Sequence, residues 1–139
     1  MKKKTIEGGV PCTLLTMISE TTIYPELVDL SRENVKKADQ DLLTSGTVTL
    51  QVGDGWKGLS DVAPFHAIHV GAAAETFPKN LMMQLYPHGG MMILPVGPEG
   101  GYQNLYKVER LRDSDKFDER DFRIRSLLGV RYVPLIHPR

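Results

Sequence analysis

The spacing of apolar residues predicts two helices in this chain. Pro25 suits the first turn of the first helix, because the backbone N–H that proline lacks has no partner there. One narrow face of this helix is expected to pack against a flat surface. Its residues are Leu27, Val28, Ser31, Val35 and Ala38. The second helical face lies between Pro78 and Pro87 and consists of Leu81, Met82 and Leu85.

Runs of β-branched or alternating apolar residues predict the strands. These are residues 47–52, 67–70, 91–96 and 103–111, and a last strand within residues 124–133. Helix and strand alternate up to about residue 96, and the last two strands form an antiparallel pair joined by the charged residues 112–121. This order predicts an α/β fold, with a parallel sheet that carries a C-terminal antiparallel hairpin at one edge.

Composition and charge narrow the class of protein. A chain of 139 residues with 41% hydrophobic and 24% charged residues is typical of one soluble globular domain. The net charge of zero gives no general attraction to nucleic acid or to an anionic membrane. Cys12 is the single cysteine, which excludes an intrachain disulfide and fits a reducing compartment. We therefore expect a cytoplasmic protein with no nucleic-acid or membrane partner.

One loop carries a carboxylate at the end of a predicted strand, where ligands of an open α/β sheet bind. Gly53, Gly55 and Gly58 in this loop match the pattern G-x-G-x-x-G. Too few residues precede the next strand for the crossover helix that a dinucleotide fingerprint requires. Asp54 in the same loop is able to accept a hydrogen bond from an adenine amino group. On the residues alone, an Asx turn is the more common role for such an aspartate.

The remaining reactive side chains predict neither a metal site nor a catalytic triad. His66 and His69 are three residues apart in a predicted strand and therefore point to opposite faces. One cysteine and scattered histidines do not give the spacing of zinc ligands, and the sequence has no G-x-S-x-G pattern. Two further loops lie at strand ends. Residues 71–75 hold small residues that either leave space for a ligand or simply allow close packing. Residues 96–101 are either a flexible loop beside the ligand edge or a long hairpin connection.

Several motifs in a fixed order resemble one methyltransferase family. They are Asp54-Gly55 after a β-branched strand, APFHAIHVGAAA at residues 63–74, ILPVGP at residues 93–98 and GVRYVPL at residues 129–135. Over residues 25–139 the chain resembles the protein-L-isoaspartate O-methyltransferase family. The resemblance implies a Rossmann-like, S-adenosylmethionine-dependent methyltransferase sheet that is truncated at its N-terminus. Residues 1–24 would then be an atypical segment before a partial methyltransferase domain.

The resemblance also implies an activity and a site. The family transfers a methyl group from S-adenosylmethionine to the α-carboxyl of L-isoaspartyl residues in damaged proteins, so isoaspartyl proteins and peptides are the implied partners. Because that carboxylate is already ionised, alignment and exclusion of water are sufficient without a strong base. The implied donor-binding residues are Asp54, Gly55, Ile68 and His69. The implied substrate-binding residues are Val70, Gly71, Ala72, Ala73, Tyr132 and Val133.

Two parts of the family pattern have no counterpart before Pro25. One is the glycine-rich loop that cradles the amino-acid end of the donor. The other is a serine- and threonine-bearing active-site segment, so the catalytic residues stay unassigned. Thr22 stands where the family has an acidic residue for the ribose, with Glu20 two positions earlier. We therefore expect weakened donor binding, and we predict that residues 13–18 form a substitute strand.

The sequence leaves three functions open. The chain is an active protein-carboxyl methyltransferase, a catalytically inactive relative that binds peptides, or a fragment with no function of its own. Donor binding separates the first from the second, and cooperative unfolding separates the second from the third. In each case a monomer is expected, with no bound metal.

Overall fold

The computed structural model describes residues 18–137 of the chain, with side chains from Thr21 onward. In chain order the elements are β1 (Ile18–Thr22), α1 (Pro25–Thr44), β2 (Val48–Val52), β3 (Ala67–His69), α2 (Lys79–Met83), β4 (Met91–Val96), β5 (Gln103–Arg110), a 3-10 turn (Glu119–Asp121) and β6 (Phe122–Val130). The chain divides into two compact units, with the boundary between Val52 and Gly53.

The N-terminal unit is a single β-α-β arrangement. β1 and β2 pair in parallel, and α1 connects them, with Pro25 in its first turn as predicted. Its buried face is narrower than the sequence suggested. Val28 is buried and Val35 is half-buried, whereas Leu27 and Ala38 are exposed. Leu27 lies next to Val28 and is therefore rotated by about 100° from the buried side of the helix.

The predicted substitute strand at residues 13–18 meets the described structure only at its last residue. β1 begins at Ile18 and continues to Thr22, beyond the predicted segment. Residues 13–17, the N-terminal residues 1–11 and Cys12 lie outside the described part of the chain. The predictions made for them therefore stay predictions.

The C-terminal unit contains a four-stranded sheet in the order β3-β4-β5-β6. β3 and β4 are parallel, whereas β5 pairs antiparallel with both β4 and β6. The predicted parallel pairing with a C-terminal antiparallel hairpin is therefore confirmed. The register shift between Leu105 and Tyr106 leaves Leu127 without a partner residue in β5, so the extra residue of this β-bulge lies in β6.

The core of the C-terminal unit lies on one face of this sheet, where α2 packs. All three apolar residues predicted for the second helical face are buried. They join Met92 and Leu94 of β4, Val108 of β5 and Phe122 of β6 in one cluster. Each such side chain contributes about 1.5–3 kcal/mol when it is fully removed from water. The hairpin of β5 and β6 is therefore stabilised by packing against α2.

A buried arginine connects the end of α2 to the hairpin through hydrogen bonds. Arg110 at the end of β5 is 4% exposed. Its guanidinium donates to the carbonyl oxygens of Met83 at 2.7 Å and of Leu85 at 2.9 Å, and also to that of Ser114 at 3.2 Å. The charged connection predicted at residues 112–121 is present. The arginine that anchors it was not identified from the sequence.

Turns fill the stretch between β2 and β3, and no helix follows the glycines of residues 53–58 within this described segment. Rejection of the dinucleotide fingerprint is therefore confirmed. Among the helices of residues 18–137, none has the length and apolar character that crossing a membrane requires.

Candidate functional site

The carboxylate of Asp54 is held by its own loop and by the C-terminal segment. Its side chain is 8% exposed. Oδ1 accepts the backbone N–H of Trp56 at 3.0 Å, and Oδ2 lies 3.4 Å from Nδ1 of His137. The Asx turn is therefore formed, and it uses one of the two oxygens. The second oxygen faces outward, toward the imidazole.

Trp56 connects this loop to the C-terminal segment. Its indole N–H donates to the carbonyl oxygen of Leu135 at 3.0 Å. Its ring stacks on His137, with ring centroids 5.1 Å apart and planes inclined by 16°. A Cβ added at Gly55 would lie 3.3 Å from Leu135 Cδ1, so the glycine permits this close approach. Neither Trp56 nor His137 was identified as a site residue from the sequence.

A pocket of about 290 Å³ opens beside Asp54. Its lining combines aromatic rings with one carboxylate and two ammonium groups, and it comprises Asp54, Trp56, Lys57, Phe77, Pro78, Lys79, Asn80 and His137. Apolar walls with few polar groups are typical of small-molecule sites. A flat heteroaromatic ring with an exocyclic amino group fits this chemistry, because the rings provide stacking surfaces and the carboxylate provides an acceptor.

Gln84 holds the loop of Asp54 from below. Its side-chain carbonyl accepts the N–H of Leu59 at 2.8 Å, and its amide group donates to the carbonyl oxygen of Lys57 at 2.8 Å. Gly58 packs directly against the Gln84 side chain. A Cβ at this position would lie only 2.4 Å from Gln84 Oε1, so there is no space for a larger residue. The third glycine of the sequence pattern is therefore required by packing against Gln84.

The predicted substrate segments lie side by side. The N–H of Ala73 donates to the carbonyl oxygen of Val133 at 2.8 Å, and the N–H of Leu135 donates to the carbonyl oxygen of Ala73 at the same distance. Val70 and Ala73 are buried, whereas Gly71 is exposed and Ala72 is half-buried. The available surface therefore comes from Gly71 and Ala72, and from Val133, which is 71% exposed.

Gln103 is a further residue that the sequence did not indicate. It is 3% exposed, and its side-chain carbonyl accepts the N–H of Tyr132 at 2.7 Å. Its amide group donates to the carbonyl oxygens of Tyr132 at 3.3 Å and of Pro98 at 3.2 Å. One side chain therefore fixes both the loop at residues 97–101 and the segment of Tyr132.

The predicted donor residues Ile68 and His69 do not line the pocket beside Asp54. Ile68 is half-buried and packs against the core, and His69 is exposed. Their roles in donor binding stay predictions, as do those of the substrate residues. Among residues 18–137, no group of three His, Cys, Asp or Glu side chains has a metal-binding arrangement.

The fold defines the class of protein. It is an α/β, Rossmann-like sheet of the methyltransferase type, shared with a protein-L-isoaspartate O-methyltransferase from Plasmodium falciparum solved in complex with S-adenosyl-L-homocysteine. That structure matches with a TM-score of 0.71 and 24% identity, over 86% of this chain and 52% of its own. A second solved protein-L-isoaspartate O-methyltransferase matches with a TM-score of 0.66 and 18% identity, over 85% of this chain and 33% of its own.

The chain belongs to the protein-L-isoaspartate(D-aspartate) O-methyltransferase family, whose model matches residues 14–139. Protein-L-isoaspartate O-methyltransferase 2 of Arabidopsis thaliana is 41% identical over 112 residues, which are 80% of this chain and 33% of that relative. The enzyme of Myxococcus xanthus is 39% identical over 132 residues, which are 92% of this chain and 58% of that relative.

The resemblance predicted from the motifs is therefore confirmed. The chain spans between a third and three fifths of the length of these relatives. The family match begins ahead of residue 25, and the proposed boundary between residues 1–24 and a partial domain stays a prediction.

Proposed function

We propose that this chain contributes to a protein-carboxyl methyltransferase that transfers a methyl group from S-adenosylmethionine to the α-carboxyl of L-isoaspartyl residues in damaged proteins. The observation that carries the proposal is the family match over residues 14–139. The activity is a proposal for this chain because its relatives are considerably longer. The named relatives favour this function over a peptide-binding module without turnover.

The donor side of the proposed site centres on Asp54 and Gly55. The Asp54 carboxylate is nearly buried and retains one outward oxygen, which suits an adenine amino group. Trp56 and Phe77 line the adjacent pocket, and an adenine ring stacks well on such side chains. Bound S-adenosylmethionine supplies an activated methyl group. Ile68 and His69 belong to the proposal through the family resemblance, and donor binding is expected to be weak.

The substrate side of the proposed site is the exposed backbone around Gly71 and Ala72, together with Tyr132 and Val133. Ala73 and Val133 are hydrogen-bonded to each other, so the two segments present one fixed edge to an isoaspartyl peptide. The reacting carboxylate is ionised at neutral pH. What the chain contributes is therefore alignment of the peptide and exclusion of water.

The test is transfer of a labelled methyl group from S-adenosylmethionine to an isoaspartyl peptide, with purified chain whose folding is confirmed by cooperative unfolding. The matched control is the same peptide with ordinary aspartate. We expect base-labile label on the isoaspartyl peptide alone. A folded chain that binds the isoaspartyl peptide without labelling it would instead be an inactive relative, and equal labelling of both peptides would contradict the proposed substrate.

The proposal also covers the cellular location and the oligomeric state of the chain. A single cysteine and a net charge of zero support a cytoplasmic monomer that encounters damaged proteins without a nucleic-acid or membrane partner. Light scattering should then give a mass near 15.5 kDa, and cell fractionation should recover the protein with the cytoplasm. A larger mass that is independent of concentration would contradict the monomer.

A further inference from the structure

The two oxygens of the Asp54 carboxylate are not equally available to a ligand. Oδ1 is occupied by the backbone N–H of Trp56 at 3.0 Å. This bond is local to the loop and remains whatever enters the pocket. Oδ2 has one hydrogen-bond partner among the described residues, the imidazole Nδ1 of His137 at 3.4 Å. The imidazole therefore stands at the oxygen that an amino group entering the pocket would bind.

His137 is held in a way that permits its displacement. Its side chain is 67% exposed, and its distance to Asp54 is at the long end for a hydrogen bond. The other contact is the stack on Trp56, with centroids 5.1 Å apart. Trp56 itself is fixed independently by its bond to the carbonyl oxygen of Leu135. Removal of the imidazole therefore leaves the indole and the carboxylate in place.

We propose that His137 determines donor affinity by occupying the Asp54 oxygen that the adenine amino group takes. The imidazole acts as an intramolecular competitor, and donor binding displaces it. This inference rests on the proposed function, because it concerns the same donor pocket. It goes further by assigning a role to a residue that the family motifs do not include.

The first measurement is calorimetric binding of S-adenosylhomocysteine, which binds without turnover, at one fixed pH. We expect His137→Ala to bind it about tenfold more tightly than the unmodified chain does, a typical size for coupling between two bound groups. Equal affinity of His137→Ala and the unmodified chain would overturn the inference.

The matched control is His66→Ala. His66 is also an exposed imidazole stacked on an aromatic ring, with centroids 4.8 Å from Tyr86, but it does not line the Asp54 pocket. It should bind S-adenosylhomocysteine with the affinity of the unmodified chain. An equal gain in affinity in His66→Ala would show that a general effect of removing a histidine is responsible, and would also overturn the inference.

A second readout needs no donor. Trp56 is the single tryptophan, so intrinsic fluorescence reports on the ring that His137 covers. We expect the emission of His137→Ala to differ from that of the unmodified chain, and that of His66→Ala to match it. Fluorescence that is insensitive to His137→Ala would overturn the contact itself. A changed emission with no S-adenosylhomocysteine binding in any variant would instead refute the proposed donor site and, with it, the role of His137 there.

Discussion

At the scale of single residues, two buried glutamines fix the loops of the candidate site. Gln84 holds the loop of Asp54, and Gln103 holds the segment of Tyr132. Apart from the carbonyl oxygen of Pro98, which is five residues from Gln103, their partners are backbone groups 25 to 29 residues away in the chain. The sequence did not reveal these roles, because glutamine is usually a surface residue and only the folded chain brings those backbone groups together.

Substitution of Gln103 by alanine should loosen the substrate edge. The change leaves the Tyr132 N–H and two carbonyl oxygens without their partner, which costs about 1–3 kcal/mol of unfolding free energy. Chemical denaturation measures this cost, and isoaspartyl peptide binding should weaken with it. Gln40→Ala, on the exposed surface of α1, is the control and should change neither property. Equal stability of the two variants would contradict the role of Gln103.

Asp118 should titrate at an unusually low pH. Hydrogen bonds from the Arg120 side chain and backbone lower the pKa of the Asp118 carboxyl to about 2. Because the folded-state pKa is depressed, the associated stability is present above the unfolded value of 3.8 and is lost as the pH falls toward 2. NMR titration should show that Arg120→Ala raises the pKa of Asp118. Arg125→Ala serves as the control, and an unchanged Asp118 pKa in Arg120→Ala would refute the assignment.

At the scale of elements, the loops at the strand ends are shaped by glycines with different requirements. Gly58 has φ +65° and Gly100 has φ +70°, both in the left-handed region that other residues rarely adopt. A Cβ at Gly58 would meet Gln84 and Leu81, whereas at Gly100 it would meet nothing within 4 Å. The two positions therefore separate backbone strain from steric overlap.

Gly58→Ala should destabilise the chain more than Gly100→Ala. Both substitutions carry the left-handed backbone cost of about 1–2 kcal/mol. Only Gly58→Ala adds overlap with the side chains beneath the Asp54 loop, at about 1–3 kcal/mol. Thermal unfolding of the two variants compares these costs directly. If both variants lost the same stability, Gln84 would not pack against Gly58 as described.

The periodicity of apolar residues predicted the order of the helices and strands more reliably than it predicted which of their side chains are buried. α1 begins at Pro25 as predicted, and β2 to β6 overlap the predicted runs, whereas β1 extends beyond the predicted segment. The predicted face of α1 was too wide at Leu27 and Ala38, which are exposed. Spacing along the chain fixes which side chains share a face. How much of that face is covered depends on the surface against which the helix packs.

At the scale of the whole molecule, the two compact units differ in how much apolar surface they bury. In the C-terminal unit, β4 and β5 contribute residues with no exposed surface, namely Met92, Leu94 and Val108. In the N-terminal unit, Val28 is the buried residue of α1, and Leu50 lies buried in β2. Local stability follows buried apolar contact, so the two units should open at different free energies.

Hydrogen exchange should resolve this difference. Amides of β4 and β5 should exchange slowest, because each strand is paired on both sides and packs against the core. Amides of α1 should exchange faster, because most of its side chains are exposed. Leu94→Ala should accelerate exchange in β4 and β5, and the exposed Leu30→Ala serves as its control. Uniform exchange across both units would contradict the expected difference in local stability.

The sequence alone determined the family, the order of helices and strands from α1 onward, and the position of the Asp54 loop. These depend on local spacing and on motifs that are contiguous along the chain. The tertiary structure decided which groups meet around Asp54. His137, Leu135 and Gln84 are far from it in sequence and reach it only when the C-terminal segment and α2 pack in place. Such contacts are set by chain packing in three dimensions, which a one-dimensional pattern does not encode.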